Sequence, residues 1–245
     1  MQGLITLDFG NSHPHAGIFI KNKLGWKLEE VTPIDHLDEL IERHTITPHN
    51  TQIAISQVKP YPEIEKKLFE KGYLITNTLE YWRGKKFCGL PVNYSESLGQ
   101  DRLIQSFYGY RLKVLPLVIL DAGTFTTIDI ITDEGFRGGY ILPSFESYSS
   151  LFKKGENLKN IDLKLTYSKN IPQSTEAALI SGYQSFQFLI KNIQEEFQIK
   201  KIILTGGKAE DWRILLPNLV TIIEHQPHFI HHALHHWWTT QVELL

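Results

Sequence analysis

Apolar and polar positions along the chain fall into short buried runs separated by helical spacings. Leu4–Asp8 is an apolar run closed by an acid, and Ala16–Ile20 is a second, with a turn at Gly10–Asn11 between them. Lys23–Glu29 reads as a third strand, entered by a turn at Lys21–Asn22. Pro33–Glu42 places Ile34, Leu37, Leu40 and Ile41 on one helical face. Thr51–Ser56 alternates as a strand and Ile64–Lys71 has the spacing of a short helix. Thr76–Leu98 is irregular and rich in aromatic residues and glycine; Gln100–Tyr110 then resumes as a helix with Leu103, Ile104 and Phe107 inward.

The opening pattern then returns. Leu117–Asp121 is an apolar run ending in an acid, Gly123–Thr124 turns, and Thr126–Thr132 and Gly135–Leu142 supply two more strands. Ser174–Ile199 carries the longest helical pattern, apolar at Leu179, Tyr183, Phe186, Ile190, Ile193 and Phe197. Lys201–Thr205 is a further strand, broken by Gly206–Gly207 before another helix. The expectation is an α/β chain of two halves, residues 1–113 and 114–245, each starting strand, acidic turn with glycine, strand, strand.

Composition narrows the partners. With 42% hydrophobic and 21% charged residues, the 245-residue chain is that of an ordinary globular protein. A net charge of -2 offers no broad basic field, so no nucleic acid and no membrane surface is expected, and a small molecule is the simpler partner. Cys88 is the sole cysteine, which leaves no internal disulfide or multi-cysteine metal site and suits a reducing compartment. Residues 1–8 lack the basic start of a signal peptide, and no apolar stretch approaches the roughly 20 residues that span a bilayer. A cytoplasmic location is expected.

The repeated turn carries candidate chemistry. Asp8-Phe9-Gly10-Asn11-Ser12 and Asp121-Ala122-Gly123-Thr124 each put an aspartate at a strand end and a glycine two residues on. Without a Cβ, the glycine lets backbone N–H groups turn sharply and approach a phosphate. Asn11, Ser12 and Thr124 add donors, and the aspartates offer hard oxygens to a cation or its waters. A single Asp-x-Gly turn also heads many plain hairpins; two copies heading two similar halves point to nucleotide binding. Leu204-Thr205-Gly206-Gly207-Lys208-Ala209 adds a third strand end with bare backbone. Gly99-Gln100-Asp101-Arg102 stands before the helix that ends the first half; an acid is favoured at a helix start in any case, but a carboxylate beside a cation also suits transfer of a phosphoryl group to an alcohol.

The order of these turns resembles the superfamily of acetate and sugar kinases, heat-shock chaperones and actin. That resemblance implies two duplicated actin-like (ribonuclease H-like) domains, each a mixed five-stranded sheet flanked by helices, with the nucleotide cleft between them. Over most of its length the sequence is similar to the type III pantothenate kinases. The supporting runs are Asp8-Phe9-Gly10-Asn11-Ser12, Ser56-Gln57-Val58-Lys59-Pro60, Gly99-Gln100-Asp101-Arg102, residues 121–129, Gly138-Gly139-Tyr140-Ile141-Leu142-Pro143 and Ser174-Thr175-Glu176-Ala177-Ala178. The resemblance implies transfer of the ATP γ-phosphate to the terminal hydroxyl of pantothenate, the first step of coenzyme A synthesis, with Mg2+, a monovalent cation (K+ or NH4+) and a homodimer built through the second half. It also implies roles. Asp8, Phe9, Gly10, Asn11, Ser12, His13, Pro14 and His15 line the ATP phosphates, and Thr124 contacts ATP. Asp121 binds the monovalent cation. Asp101 is the general base, with Gly99, Gln100, Arg102, Thr175 and the position of Val92 around pantothenate.

The sequence departs from the family at three places. Ser144 follows Pro143 where glycine is usual, Val92 stands where tyrosine is usual with Tyr94 close by, and Phe125 is larger than common. The first two favour a rival reading, a non-catalytic nucleotide-binding regulator like the Bvg accessory factors; a kinase for another small hydroxylated acid is a third. Asp8, Asp101, Arg102 and Asp121 favour the enzyme. Two further clusters have bland explanations. His225, His228, His231, His232, His235 and His236 include metal-like helical spacings, with adventitious rather than physiological metal binding expected. Trp82, Arg83, Lys85, Lys86 and Phe87 read as a loop near the cleft or a domain contact rather than a nucleic-acid patch.

Overall fold

A computed structural model describes residues 2–10, 13–155, 163–216 and 222–241. The chain divides into two units: residues up to Leu112 together with the last helix, and residues Lys113–Pro227.

The first unit is built on strands β1 (Gln2–Phe9), β2 (His15–Asn22), β3 (Gly25–Pro33), β4 (Thr51–Gln57) and β5 (Leu74–Asn77), in the order β3-β2-β1-β4-β5. β1 pairs antiparallel with β2 and parallel with β4. Every residue of β1 from Gly3 to Phe9 is buried because both faces of the sheet are covered, which is why the strand reads as a continuous run. Ile5, Leu7 and Phe9 pack with α1 (Leu37–Arg43) and α2 (Pro62–Glu70) through Leu37, Leu40, Ile41 and Leu68. The opposite face carries Leu4, Thr6 and Asp8. There α3 (Gln100–Arg111) and α8 (Phe229–Gln241) pack on each other, on β4 and, for α8, on β1. Between β5 and α3 lies a small sheet of β6 (Trp82–Arg83), β7 (Lys86–Phe87) and β8 (Leu90–Pro91), where the cluster expected to be a loop instead buries Phe87 edge-on against Phe107, ring centroids 5.6 Å apart.

The second unit repeats the plan with β9 (Leu117–Ala122), β10 (Phe125–Thr132), β11 (Gly135–Pro143), β12 (Lys201–Thr205) and β13 (Ile222–His225), in the order β11-β10-β9-β12-β13. α4 (Phe145–Phe152), α5 (Thr175–Gln184), α6 (Phe186–Phe197) and α7 (Ala209–Leu215) cover one face, where Val118, Leu120, Ile128 and Ile130 meet Phe145, Tyr183, Ile190 and Trp212. The repeat extends to an irregularity. In the first sheet Asp8 faces His15, and three residues on the register slips so that Glu29 is the extra residue between partners of Ile18 and Phe19. In the second, Asp121 faces Thr127, and three residues on Arg137 is the extra residue between partners of Ile130 and Ile131. The same bulge thus re-aims the same corner of both sheets.

Some elements differ from the sequence expectations. The hairpin joining β2 to β3 turns at Lys23–Leu24, two residues later than expected; Asn22 accepts the Leu24 N–H at 2.8 Å and Gly25 takes φ +117°. The single helix expected over Ser174–Ile199 is interrupted at Ser185, whose hydroxyl donates to the Gly182 carbonyl, and its apolar stripe faces the unit's own core. β5, β13 and α4 had no clear periodic signal. The last helix, expected in the second half, belongs to the first unit.

Candidate functional site

In the first unit, two motifs far apart in sequence meet at the carboxyl ends of β1 and β4, where open α/β sheets bind ligands. Asp8 closes β1 opposite Ser56, and Phe9 lies opposite Gln57 of β4. The Gln57 N–H donates to Oε1 of Gln100 at 3.2 Å, and the Thr78 hydroxyl donates to the same oxygen at 2.6 Å. Gln100 therefore ties the start of α3 to the strand end beside the Asp8 turn, with its own side-chain carbonyl used internally.

Asp101 follows at the first turn of α3. Its Oδ1 accepts the Arg102 N–H at 2.8 Å. A Cβ at Gly99 would stand 2.5 Å from that same Oδ1, so glycine lets the carboxylate fold back over the helix start. Desolvation raises the Asp101 pKa above its ordinary value, opposed by the Arg102 N–H and guanidinium. Arg102 is itself buried and lies over the Tyr94 ring, 5.3 Å from the centroid. Val92 is in the core, 3% exposed, with its N–H given to the Lys85 carbonyl. Its side chain therefore packs inward, and Tyr94 is the residue of this stretch that touches Arg102.

Of the first turn, Phe9 is fully buried and stacked on Tyr61, centroids 4.6 Å apart, which leaves only its backbone to serve a ligand. Gly10 is open; a Cβ there would come no closer than 3.8 Å to Asp8. Pro14 accepts the Ile34 N–H, and His13 is exposed. His15 lies with Nε2 3.7 Å from Oδ2 of Asp8, and burial lowers its pKa, as does neighbouring His228. Asn11 and Ser12 lie outside the described residues.

In the second unit, the Gly206–Gly207 turn folds directly onto the Asp121 turn. Asp121 faces Thr205 across the parallel pair β9–β12. The Lys208 N–H donates to the Ala122 carbonyl at 2.8 Å. Gly206 has φ +88°, and a Cβ on it would stand 2.5 Å from both Asp121 Oδ1 and the Ala122 carbonyl oxygen. Glycine is therefore required twice over, by conformation and by space. Thr124 offers its carbonyl to the Ser147 hydroxyl at 3.2 Å, and Phe125 is half exposed beside it. Ser144 caps α4, its hydroxyl accepting the Ser147 N–H at 3.1 Å. The departure from glycine at this position therefore has a helix-capping role. Thr175 is exposed at the start of α5, where Ser174 is the cap; a groove of about 360 Å³ runs beside it, lined by Ser174, Glu176, Ser181 and Gln184 among others. Asp129 is buried on β10 opposite Gly139, where a Cβ would stand 1.9 Å from the Ile128 carbonyl oxygen.

The histidines of the tail are placed by packing. His235 stacks on Phe19 with centroids 4.4 Å apart, His236 lies against Phe107 and Tyr108, and His231 is fully buried. Sequence reasoning missed the pairing of Asp121 with Gly206 and the engagement of Gln100 by β4. Both join segments more than 40 residues apart, and no local pattern announces them.

The family model described as type III pantothenate kinase matches residues 4–196. Among curated relatives, a type III pantothenate kinase from Persephonella marina is 32% identical over 84% of this chain and 88% of its own length. Another from Methylacidiphilum infernorum is 31% identical over 83% of this chain and 77% of its own. Among solved structures, a Campylobacter jejuni protein described as a Baf family transcriptional activator is 20% identical with TM-score 0.61, covering 98% of this chain and 99% of that one. A protein from Sinorhizobium meliloti, described as a 2-dehydro-3-deoxygalactonokinase, is 10% identical with TM-score 0.59, covering 98% of this chain and 99% of that one. At those identities the likeness is one of fold. No described helix is long and apolar enough to cross a membrane.

Proposed function

The chain belongs to the type III pantothenate kinase family, whose members use ATP to phosphorylate pantothenate in coenzyme A synthesis, and from this premise we propose how its residues divide the work. Asp101 is the general base: its carboxylate takes the proton from the terminal hydroxyl of pantothenate as that oxygen attacks the γ-phosphorus of ATP. The observation that carries this assignment is the seating of Asp101 on α3 beside the Asp8 turn, through Gln100 and Gln57, in surroundings that raise its pKa. A base with a raised pKa accepts a proton more strongly than an ordinary carboxylate near neutral pH.

Gly99, Gln100, Arg102 and Thr175 belong to the pantothenate side. Gln100 acts there through its place in the scaffold, since its side-chain oxygen already accepts two hydrogen bonds. Tyr94, rather than core-facing Val92, is the aromatic residue of this region that backs Arg102. Asp8, Gly10, Asn11, Ser12, His13, Pro14 and His15, with the Phe9 backbone, serve the ATP phosphates, and Thr124 serves the nucleotide from the second unit.

For the cations, the donor chemistry fits. The Asp121 carboxylate and Ala122 carbonyl are hard oxygens brought together at the Gly206 turn, a donor type that suits K+ or NH4+. Asp8, at the end of β1, would offer a protein-side carboxylate to a Mg2+ held otherwise by phosphate oxygens and waters. Such ions supply positive charge beside the phosphates. A cytoplasmic homodimer through the second unit completes the proposal; exposed Tyr140, Ile141 and Phe188 supply apolar surface for it. The test is purified protein with ATP, Mg2+, K+ and pantothenate, product identified by mass spectrometry. Phosphopantothenate is expected; nucleotide binding without transfer favours the regulator, and phosphorylation of other alcohols alone favours a different acceptor.

A further inference from the structure

A polar chain within the first unit runs from its last helix to the Asp8 turn. Thr6, Asp8, His15 and Gly17 share one face of the β1–β2 pair. His231 of α8 lies over that face. Its Nδ1 is 2.7 Å from the Thr6 hydroxyl and its Nε2 is 2.9 Å from Nδ1 of His15, whose Nε2 is 3.7 Å from Asp8. Gly17 makes the room: a Cβ there would stand 2.8 Å from Nδ1 of His231.

The two facing ring nitrogens, Nε2 of His231 and Nδ1 of His15, need one proton between them, since two lone pairs or two N–H groups repel. His231 is fully buried with the Thr6 hydroxyl at one ring nitrogen and His15 at the other, and its neutral ring offers them one donor and one acceptor. Fixing one of its bonds therefore fixes the other. The Thr6 hydroxyl has two acceptors within reach, Nδ1 of His231 at 2.7 Å and the Gly17 carbonyl at 3.2 Å. When it donates to the nearer, Nδ1, Nε2–H of His231 donates to His15, and Nε2–H of His15 faces the Asp8 carboxylate at 3.7 Å, an electrostatic contact rather than a hydrogen bond. The opposite direction would turn a lone pair on that carboxylate and is disfavoured. This is the way outer partners orient a functional imidazole elsewhere.

We infer that His231 is a positioning residue for the first phosphate turn, holding His15 in the ring orientation and tautomer that steadies Asp8 where ATP binds. The inference rests on the reading of Asp8 as a residue of the ATP site. It gives the histidine-rich tail a use that neither metal binding nor packing alone provides.

The test compares KM for ATP, KM for pantothenate and nucleotide affinity by calorimetry in wild type, Asp8→Asn, His15→Ala, His231→Phe, His231→Gln and the His15→Ala/His231→Phe double variant. His231→Phe is expected to raise KM for ATP roughly tenfold with KM for pantothenate unchanged. His231→Gln, which restores a hydrogen-bonding group, recovers part of the loss. The double variant should be no worse than His15→Ala alone, because one residue acts through the other. Multiplying effects, equal shifts in both KM values, or no shift overturn the inference. If His231→Phe fails to fold, Thr6→Val reads the same relay from its other end and is expected to weaken ATP selectively; an unchanged KM there overturns it equally. If Asp8→Asn leaves ATP binding untouched, the reading beneath has failed. If Asp8→Asn weakens it and neither relay variant does, only the relay has failed.

Discussion

The two units share a sheet order, pairing directions and a bulge at the same place, yet their matching positions hold different residues. Three residues before each slip stand His15 and Thr127; one residue before it stand Gly17 and Asp129. In the first unit that last position is emptied to glycine and filled by an imidazole from a distant helix. In the second it carries its own buried carboxylate, and the glycine lies opposite, at Gly139. The first unit adds the desolvated Asp101 carboxyl on α3; the second adds a bare backbone turn against Asp121. A duplicated scaffold repeats the geometry of its strand ends, while the surrounding helices and glycines decide what chemistry each end performs.

The largest effect that tests this division belongs to the first unit. Asp101→Asn is expected to lower kcat at least ~100-fold with little change in KM for ATP. It should also stabilise the fold near neutral pH. A carboxyl whose pKa is raised on folding contributes most to stability below its ordinary value of 3.8, and the contribution falls as pH rises through the folded value. Asparagine removes that cost, so thermal melts at pH 7 should rise by a few degrees. Loss of both activity and stability would mark Asp101 as structural instead.

A smaller effect separates the two turns. Gly206→Ala forces a Cβ into two oxygens at φ +88° and is expected to lower the melting temperature by several degrees, whereas Gly10→Ala, whose Cβ meets no protein atom closer than 3.8 Å, leaves it nearly unchanged. Equal shifts in thermal melts would deny that the second turn is the tighter one.

Acid should also distinguish the units. Ten of the eleven histidines lie in the first unit, and burial lowers the pKa of His15, His228, His231, His232 and His236. A histidine held neutral by burial leaves stability intact above its ordinary value of 6.5 and removes it as pH falls below, because the unfolded chain then binds the proton first. Hydrogen exchange between pH 7.5 and 5.5, corrected for intrinsic rate, should show β1, β2 and α8 losing protection before β9 and β10. The smallest effect is Ser144→Ala, about 1 kcal/mol from a lost helix cap, read as a lower melting temperature with KM for pantothenate unchanged.

Much of this plan was legible in the sequence because it is written locally. Asp8-x-Gly10 and Asp121-x-Gly123 declare themselves as one acidic turn repeated at the head of two similar halves, and buried β1 and β9 through unbroken apolar runs. Other features were not. β5 is four residues long with an exposed first position and no alternation, so it resembles a loop. The spacing of the tail histidines suits a metal as well as it suits the aromatic packing of His235 and His236, and only the third dimension separates them. The family resemblance implies an acceptor role for the position of Val92, yet its side chain enters the core and Tyr94 reaches Arg102. A position counted along an irregular stretch does not fix which side chain points outward.

The central claim, that a desolvated Asp101 takes the acceptor proton, is tested most directly by the single-turnover rate of pantothenate phosphorylation against pH, over the range where circular dichroism shows an intact fold. The account predicts a rate that climbs with pH through one ionisation above 3.8 and loses that dependence in Asp101→Asn. A rate that is flat across the range in wild type, or that keeps the same rise in Asp101→Asn, would contradict it.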